Sequence, residues 1–245
     1  MRPLYVAATG QHVGKTTSTL GLATNILDKG YDVGYCKPVG QKHVTIDMQV
    51  VDKDVTLFAQ LLKFPIEASV HSPVVMAKGI TKQYLDHPEK FDLKSNILHS
   101  AGVLNSRHEV TIYEGTGHPG VGSVADVSNA DVAKMLKAGV VMIAEGGIGN
   151  TLDRLTLSFG QFRQYGIPIL GVILNKVIPE KLDQVQHYVG KKLNQQNLDL
   201  LGVVPFDKRL SYPIMETIKR AIRGTTLFNE KKMDNRVEAI IAGSL

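Results

Sequence analysis

The 245-residue sequence lacks the features of secreted, disulfide-bonded and membrane-spanning proteins. Its one cysteine, Cys36, excludes a disulfide within the chain and is typical of a reducing compartment. No apolar run approaches the roughly 20 residues that a transmembrane helix needs. A glycine-rich motif already begins at Gly10, so we expect the first residues to form a strand of the fold and not a signal peptide. These absences predict a cytoplasmic protein with no membrane partner.

The sequence also lacks the charge pattern of a nucleic-acid-binding protein. Its formal net charge is +5, but the basic residues are scattered apart from adjacent pairs such as Lys191-Lys192 and Lys231-Lys232. No basic stripe interleaved with aromatic residues occurs. We therefore expect a solvated surface, with some lysines facing phosphate, and no nucleic-acid partner. The 43% of hydrophobic residues is enough for one substantial core.

Short apolar runs alternate with helical patterns along the chain, which is typical of a mostly parallel sheet covered on both faces. The predicted strands are Leu4–Ala8, Val33–Lys37, Val110–Glu114, Val140–Ala144, Ile169–Asn175 and Leu200–Pro205. The predicted helices cover about Lys15–Lys29 and Val55–Lys63, and three more begin at a Ser128 capping box, at a capping Asn150 and at Pro179. We predict a three-layer α/β/α fold, a mostly parallel twisted sheet with helices on both faces.

Two segments fit this alternation less well. Phe64–Lys90 is irregular and is broken into turns by three prolines. Near the C-terminus a β-like run, Thr225–Phe228, precedes Asn229–Leu245, which suits either a helix or a strand. We predict one nucleotide-binding domain over residues 1–222. Residues 223–245 are then either an extension packed on that domain or the start of a further one.

The strongest motif lies between the first predicted strand and the first predicted helix, which is the context of a P-loop. Glycines let the backbone N–H groups turn toward phosphate oxygens, and the helix N-terminus adds its positive end. Thr9 stands where the usual motif has its first glycine. We expect Lys15 to reach the β- and γ-phosphates and the Thr16 hydroxyl to bind Mg²⁺, in a P-loop NTPase fold. The predicted nucleotide-binding residues are Gly10, Gln11, His12, Val13, Gly14, Lys15, Thr16 and Thr17.

The end of the fifth predicted strand bears on which base is bound. Asn175-Lys176 is followed by Val177 and Ile178, so the aspartate with which signalling GTPases grip guanine is missing. An asparagine amide can still donate to and accept from the edge of adenine. We expect ATP rather than GTP, with Asn175 either at the adenine or serving only as a strand-end turn residue.

Several motifs occur in the order in which dethiobiotin synthetase has them. They are the phosphate loop, Lys37-Pro38-Val39, Asp52-Lys53-Asp54, Glu114-Gly115, Leu174-Asn175-Lys176 and Gly202-Val203-Val204-Pro205. Over roughly Met1–Tyr212 the chain resembles dethiobiotin synthetases, cobyrinic acid a,c-diamide synthases and, most closely, the N-terminal domains of some phosphate acetyltransferases. The resemblance implies Mg-ATP as the cofactor and places Pro205 among the nucleotide-binding residues.

The resemblance also implies roles for four polar residues. Thr16, Asp54 and Glu114 form the magnesium shell, which suits a hard cation that prefers oxygen ligands. For Asp54 the alternative is a helix cap. Lys37, with Lys15, is implied to be catalytic and to stabilise the charge that moves during phosphoryl transfer. For Lys37 the alternative is a surface lysine with a partly buried stem.

The chain departs from dethiobiotin synthetase directly after Glu114. In that family a short glycine pair follows, whereas here a longer glycine-rich loop runs to Ser123 and contains His118. This difference argues against the biotin precursor as the substrate. The candidate substrate-binding residues are Gln41, His118 and Ser123. His118 is either a substrate contact or base, or a hydrogen-bonded surface residue.

Two functions from different classes follow. The first is an ATP-dependent ligase that phosphorylates a carboxylate or carbamate, which an amine then attacks, so its partner is a small-molecule carboxylate or amine. The second is a nucleotide-sensing regulatory domain without turnover, like that attached to phosphate acetyltransferases. We also expect a homodimer, as in dethiobiotin synthetases. The apolar residues of Phe64–Lys90, such as Val74 and Met76, suit either an interface or a loop that covers the chain's own sheet.

Overall fold

The computed structural model describes residues 3–239, which form ten strands and nine α-helices. The strands are β1 Leu4–Ala8, β2 Val33–Cys36, β3 Val39–Gly40, β4 His43–Ile46, β5 Gln49–Asp52, β6 Val74–Val75, β7 Val110–Glu114, β8 Gly139–Glu145, β9 Ile169–Val177 and β10 Leu200–Pro205. The α-helices are α1 Lys15–Asp28, α2 Lys53–Leu62, α3 Ala68–His71, α4 Ile80–Asp86, α5 Leu93–Arg107, α6 Asn129–Met135, α7 Gly149–Gln164, α8 Leu182–Asn194 and α9 Met215–Ile222. Short 3-10 turns cover Pro88–Lys90, Ser123–Ala125, Pro179–Lys181, Lys208–Ser211 and Glu230–Lys232.

Six parallel strands form the central sheet, in the order β10-β9-β8-β1-β7-β2. Because successive side chains of a strand point to opposite faces, each central strand contributes side chains to two hydrophobic cores. On one face, Tyr5 and Ala7 of β1 pack with residues of α5, α6, α7 and α8. On the other, Val6 and Ala8 pack with residues of α1 and α2. The predicted three-layer α/β/α fold is confirmed.

All six predicted strands of the central sheet are present, and β1, β7 and β10 have the predicted bounds. The predicted Ser128 capping box is also present, since Ser128 accepts from the Asp131 N–H and the Asp131 side chain accepts from the Ser128 N–H. The predicted cap at Asn150 is wrong. Helix α7 begins at Gly149 with Ile148 at its N-cap, and the Asn150 amide oxygen accepts from Arg154 Nε at 3.1 Å.

The sequence patterns did not predict two elements, helix α5 and the β4–β5 hairpin. The first is helix α5, whose buried positions include Ser100 and Ala101. Because these residues are polar or small, the sequence lacks the continuous apolar stripe that predicts an amphipathic helix. The hairpin of β4 and β5 turns through Asp47 and Met48, both with positive φ. That is the geometry of a type I′ turn, but the dipeptide lacks the glycine that usually signals it.

The segment Phe64–Lys90 contains α3, β6 and α4, and it buries apolar side chains against its own chain. Val70 and Val74 are 3% and 4% exposed and belong to the core beside α5, and Met76 packs against that core. Of the two alternatives for these side chains, the packing agrees with a segment that covers the chain's own core. The predicted homodimer stays a prediction.

The chain divides into two compact units, Met1–Pro205 and Phe206–Leu245. The first contains the central sheet. The second contains α9 and an isolated antiparallel bridge between Ile214 and Arg236. Thr225–Phe228 forms no strand, and residues 240–245 of the ambiguous C-terminal run lie outside the described residues. The predicted boundary between residues 222 and 223 stays a prediction. In the described part of the chain, every helix is too short or too polar to cross a membrane.

Replacing Phe58 with alanine tests how strongly helix α2 is held to the sheet. The Phe58 ring is fully buried and stacks on Tyr35 of β2, with ring centroids 3.5 Å apart. We expect Phe58→Ala to lower the free energy of unfolding by about 3–5 kcal/mol in urea titrations, because a buried aromatic ring is lost. Leu57→Ala, at a neighbouring position that is 43% exposed, should cost less than about 1 kcal/mol. Equal losses for the two variants would contradict this packing.

Candidate functional site

The loop between β1 and α1 has the backbone conformation that a phosphate loop requires. Gly14 precedes α1 with φ of 84°, and a Cβ at this position would lie 1.9 Å from Asn175 Nδ2. Both facts demand glycine. Helix α1 has no side-chain cap and no acidic residue in its first turn. Its first N–H groups and its positive end are therefore available to an anion.

Beside this loop lies a cluster of four polar side chains, Thr16, Lys37, Asp54 and Glu114, which we call the Lys37 cluster. Lys37 Nζ donates to Asp54 Oδ2 at 2.6 Å and to Glu114 Oε1 at 2.9 Å. The Thr16 hydroxyl donates to the same two oxygens, at 3.3 Å and 2.9 Å. Lys37 is 4% exposed and Glu114 is fully buried, so the surface-lysine alternative does not apply.

The sheet register explains why these groups meet. Cys36 of β2 pairs with Tyr113 of β7, so the next residues, Lys37 and Glu114, leave the sheet side by side. Since the six strands of the central sheet are parallel, their carboxyl ends share the edge at which the phosphate loop follows β1. The Lys37 N–H is held by His71 O at 2.9 Å.

Burial and charge shift the pKa values of this cluster in opposite directions. Burial by itself lowers the pKa of Lys37, but the carboxylates of Glu114, Asp54 and Asp52 outweigh it and raise that pKa above its ordinary value. Burial raises the pKa of Asp54, yet the Lys37 ammonium holds it below the ordinary range. Lys15 is different. Burial first and the neighbouring Lys37 charge second lower its pKa to about 8.

The donor set fits magnesium. Asp54 Oδ2 and Glu114 Oε1 both lie about 3 Å from Thr16 Oγ1, close to the spacing of about 3 Å between neighbouring ligands of an octahedral Mg²⁺. All three donors are oxygens, which this ion prefers. Among residues 3–239, no group of three or more His, Cys, Asp and Glu side chains is arranged to hold a metal. An Mg²⁺ ion at this site would take its other ligands from phosphate and water.

Asp52 belongs to the Asp52-Lys53-Asp54 motif, but the sequence did not reveal its role in the site. Its carboxylate caps α2 by accepting from the Asp54 N–H at 3.0 Å, and it accepts from the Gln41 N–H at 2.9 Å and the Lys42 N–H at 3.3 Å. It therefore ties the base of the β4–β5 hairpin to the start of α2. Because Asp52 is the cap, the Asp54 carboxylate is free to face Lys37. An acidic residue two positions before Asp54 was the only signal in the sequence.

An open cleft joins the phosphate loop to the Lys37 cluster. It is lined by Gly10, Gln11, His12, Gly14, Lys15, Thr16, Thr17, Lys37, Gln41, Lys42, Asp52, Asp54, Thr116 and Gly117. Of the predicted loop residues, only Val13 does not line it, because its side chain is buried in the core. Of the predicted substrate residues, Gln41 lines the cleft, whereas His118 and Ser123 are exposed and lie outside its lining. Lys42, Thr116 and Gly117 were not anticipated.

Asn175 lies two residues before the end of β9, and Pro205 is the last residue of the adjacent strand β10. Asn175 is 7% exposed, and its Nδ2 donates to Val13 O at 2.9 Å. The neighbouring Lys176 ammonium donates to His12 O. The end of β9 therefore fixes the backbone of the phosphate loop, a role beyond the predicted base contact. That base contact, and the one predicted for Pro205, stay predictions.

Comparison with known proteins gives a family and several relatives. A family model described as "AAA domain" (AAA_26) matches residues 2–213. A dethiobiotin synthetase of Anaeromyxobacter dehalogenans is 28% identical over 208 residues, covering 84% of this chain and 91% of that protein. A probable cobyric acid synthase of Methanocaldococcus jannaschii is 24% identical, covering 86% of this chain and 46% of that protein. A phosphate acetyltransferase of Nitratidesulfovibrio vulgaris is 21% identical, covering 99% of this chain but 34% of that protein.

Two solved structures share the fold. The signal recognition particle 54 kDa protein of Aeropyrum pernix, in complex with GDP, has a TM-score of 0.54 at 15% identity, covering 84% of this chain and 42% of that one. The MinC:MinD cell division complex of Aquifex aeolicus gives 0.52 at 12% identity, covering 86% and 84%. At such identities the likeness concerns the fold alone, which is that of the P-loop NTPases.

The lowered pKa of Lys15 predicts how nucleotide affinity changes with pH. Phosphate binds the ammonium form, so above the pKa of about 8 binding must take up a proton. One unit above that value about a tenth of Lys15 is charged, and we expect the Kd for Mg-ATP to weaken about tenfold between pH 7 and pH 9 in calorimetry. Lys15→Arg, whose guanidinium stays charged, should show a flat profile. A Kd for Mg-ATP that does not change with pH in the wild-type protein would contradict the role of Lys15 as a phosphate ligand with a lowered pKa.

Proposed function

The chain belongs to the AAA_26 family of AAA domains, and from that premise we propose that it is an ATP-dependent, magnesium-requiring ligase that activates a carboxylate or carbamate by phosphoryl transfer. The dethiobiotin synthetase and the probable cobyric acid synthase among its relatives support an ATP-dependent synthetase-like protein. The acceptor is a small molecule that carries the reacting carboxylate or carbamate and reaches the cleft beside Lys37.

The single observation that carries the proposal is the buried Lys37 between Asp54 and Glu114. A purely nucleotide-binding loop needs the P-loop lysine and a hydroxyl for the metal. A second, buried lysine beside the metal ligands is of use where charge moves between two oxygens during transfer. Lys15 and Lys37 both line the cleft and so can approach the transferring group from two of its walls.

The chemistry follows from this placement. An oxygen of the acceptor attacks the terminal phosphorus of ATP, the bond from that phosphorus to the bridging oxygen of ADP breaks, and a mixed anhydride forms. An amine then attacks the activated carbon and phosphate leaves. Lys15 and Lys37 hold the negative charge of the transferring oxygens, while Thr16, Asp54 and Glu114 would hold a magnesium ion, whose charge neutralises phosphate oxygens. The N–H groups at the start of α1 orient the nucleotide.

A second candidate is a nucleotide-binding domain that does not turn ATP over. The observation that favours this candidate is the match of nearly the whole chain to phosphate acetyltransferases. The chain covers about a third of the length of those proteins. In that case the cleft binds Mg-ATP tightly and no acceptor accelerates ADP release. One assay therefore separates the two candidates.

That assay measures ADP release by the purified protein with Mg-ATP and a panel of ω-amino acids and dicarboxylates. We expect at least one acceptor to raise the rate above the acceptor-free background. Lys37→Ala, checked for folding by circular dichroism, should lower kcat about 10²–10³-fold because charge in the transition state loses its partner. Lys29→Ala, at an exposed position after α1, is the matched control. Tight Mg-ATP binding without any acceptor that accelerates ADP release would contradict the ligase function and support the second candidate.

The magnesium shell makes its own prediction. Glu114→Gln keeps the size of the side chain but removes a charge that the ion requires, so we expect the Kd for ATP to weaken about tenfold or more with Mg²⁺ present. In EDTA the variant and the wild type should bind ATP alike. Asp183→Asn, an exposed carboxylate in the first turn of α8, should change neither value. If Glu114→Gln weakened ATP binding equally in EDTA, the Glu114 carboxylate would not be a magnesium ligand.

A further inference from the structure

One buried amide, that of Asn129, makes four hydrogen bonds beneath the loop that follows Glu114. Its Oδ1 accepts from the Tyr5 hydroxyl at 2.8 Å and from the Thr116 N–H at 2.9 Å. Its Nδ2 donates to Thr116 O at 2.8 Å and to His118 O at 2.6 Å. Asn129 is 3% exposed and is the first residue of α6. Three of the four bonds therefore go to the backbone of one short loop segment, Thr116–His118, which we call the clamped loop.

The orientation of this amide is dictated by its partners. A backbone N–H can only donate and a carbonyl can only accept, so the oxygen must face Thr116 N and the nitrogen must face the two carbonyls. Both hydrogens of Nδ2 and both acceptor positions of Oδ1 are used. The loop is also built around the amide, because a Cβ at Gly115 would lie 2.3 Å from Oδ1. Only a residue with a donor and an acceptor on the same short side chain satisfies this arrangement.

The clamped loop joins three walls of the cleft. It starts beside Glu114 of the Lys37 cluster, and its Thr116 and Gly117 line the cleft directly. The Thr116 hydroxyl donates to Val39 O, which leads along the chain to Gln41 and Lys42 on the same lining. At Gly117 a Cβ would lie 3.8 Å from Gln11 of the phosphate loop. A shift of the clamped loop would thus change the space between the phosphate loop, the Lys37 cluster and Gln41.

The nucleotide side of the cleft has its own support. The phosphate loop is held by Asn175 and Lys176, which bond to Val13 O and His12 O. Neither bond involves Asn129. Loss of the Asn129 bonds should therefore leave the phosphate loop in place and disturb the opposite wall.

We propose that Asn129 is a positioning residue of the acceptor site: it holds Thr116 and Gly117 as the wall against which the small-molecule acceptor is oriented. It acts through the clamped loop and does not touch the nucleotide. The proposal rests on the proposed ligase function for its acceptor, whereas the loop geometry stands independently of that function.

The test compares two variants that remove different hydrogen bonds of the same buried amide. Asn129→Asp keeps the shape and both accepted bonds but loses the two donated bonds and sets an oxygen against two carbonyls. Tyr5→Phe removes the one bond that does not reach the clamped loop. Asn129→Ala is a second variant in case the aspartate does not fold. Each is examined by calorimetry with Mg-ATP, by backbone hydrogen exchange, and by steady-state kinetics with the acceptor found in the panel.

For Asn129→Asp we expect the Kd for Mg-ATP to stay within about twofold of the wild type. Exchange at residues 115–118 should quicken about tenfold or more, and the KM for the acceptor should rise by a similar factor, because a wall misplaced by about 1 Å no longer orients it. Tyr5→Phe should change each of these by less than about threefold. This split between nucleotide Kd and acceptor KM would not arise from a general loss of stability.

The proposal is overturned if exchange at residues 115–118 stays at the wild-type rate, or if both variants quicken exchange equally along the whole chain. It is also overturned if Asn129→Asp weakens Mg-ATP binding as much as acceptor binding. Should no acceptor accelerate ADP release in the wild type, the proposed ligase function fails. The hydrogen-exchange comparison still decides whether Asn129 holds the clamped loop independently of the nucleotide.

Discussion

The ion pairs of the buried Lys37 with Asp54 and Glu114 are the constraint on which the site depends. Removing one partner from such a group leaves a buried charge without compensation, which costs about 3–5 kcal/mol. The ends of β2 and β7 and the start of α2 must therefore meet at one point. The two carboxylates outweigh the one ammonium, so the cluster keeps an unbalanced negative charge beside the phosphate loop. A site of this kind attracts a cation that phosphate oxygens can share.

Two asparagine amides hold the loops on either side of this cluster. Asn175, at the end of β9, bonds the phosphate loop through Val13 O, and Asn129, at the start of α6, bonds the loop after β7. Both amides are buried, and both bond to backbone atoms of a loop: Asn175 reaches one 162 residues earlier, and Asn129 reaches one 11 to 13 residues earlier. The two loops are thus positioned separately, each by a different neighbour. The wall formed by the phosphate loop and the wall formed by Thr116 and Gly117 can then be altered independently.

The sequence was informative where a residue's role follows from its place in a strand or a motif. Lys37 and Glu114 lie at the ends of apolar runs, and parallel strands bring such ends to one edge. The roles of Asp52 and Asn129 were missed because they come from hydrogen bonds to other segments, which no strand or motif pattern shows. Asp52 accepts from the N–H groups of Gln41 and Lys42, and Asn129 meets Tyr5, 124 residues earlier. His118 was singled out because it follows glycines in the chain. The clamped loop uses its carbonyl instead and leaves its ring outside the cleft lining.

Gly14 and Asn175 compete for one volume, since a Cβ at residue 14 would lie 1.9 Å from the Asn175 amide. The residue at one of these positions therefore limits the size of the residue that the other can hold. A larger residue at 14 is barred by the amide as well as by the positive φ of the loop. A smaller residue at 175 would open space beside Gly14 but leave Val13 O without its donor. The backbone of the phosphate loop thus requires glycine at one position and an asparagine amide at the other, although most of the chain lies between them.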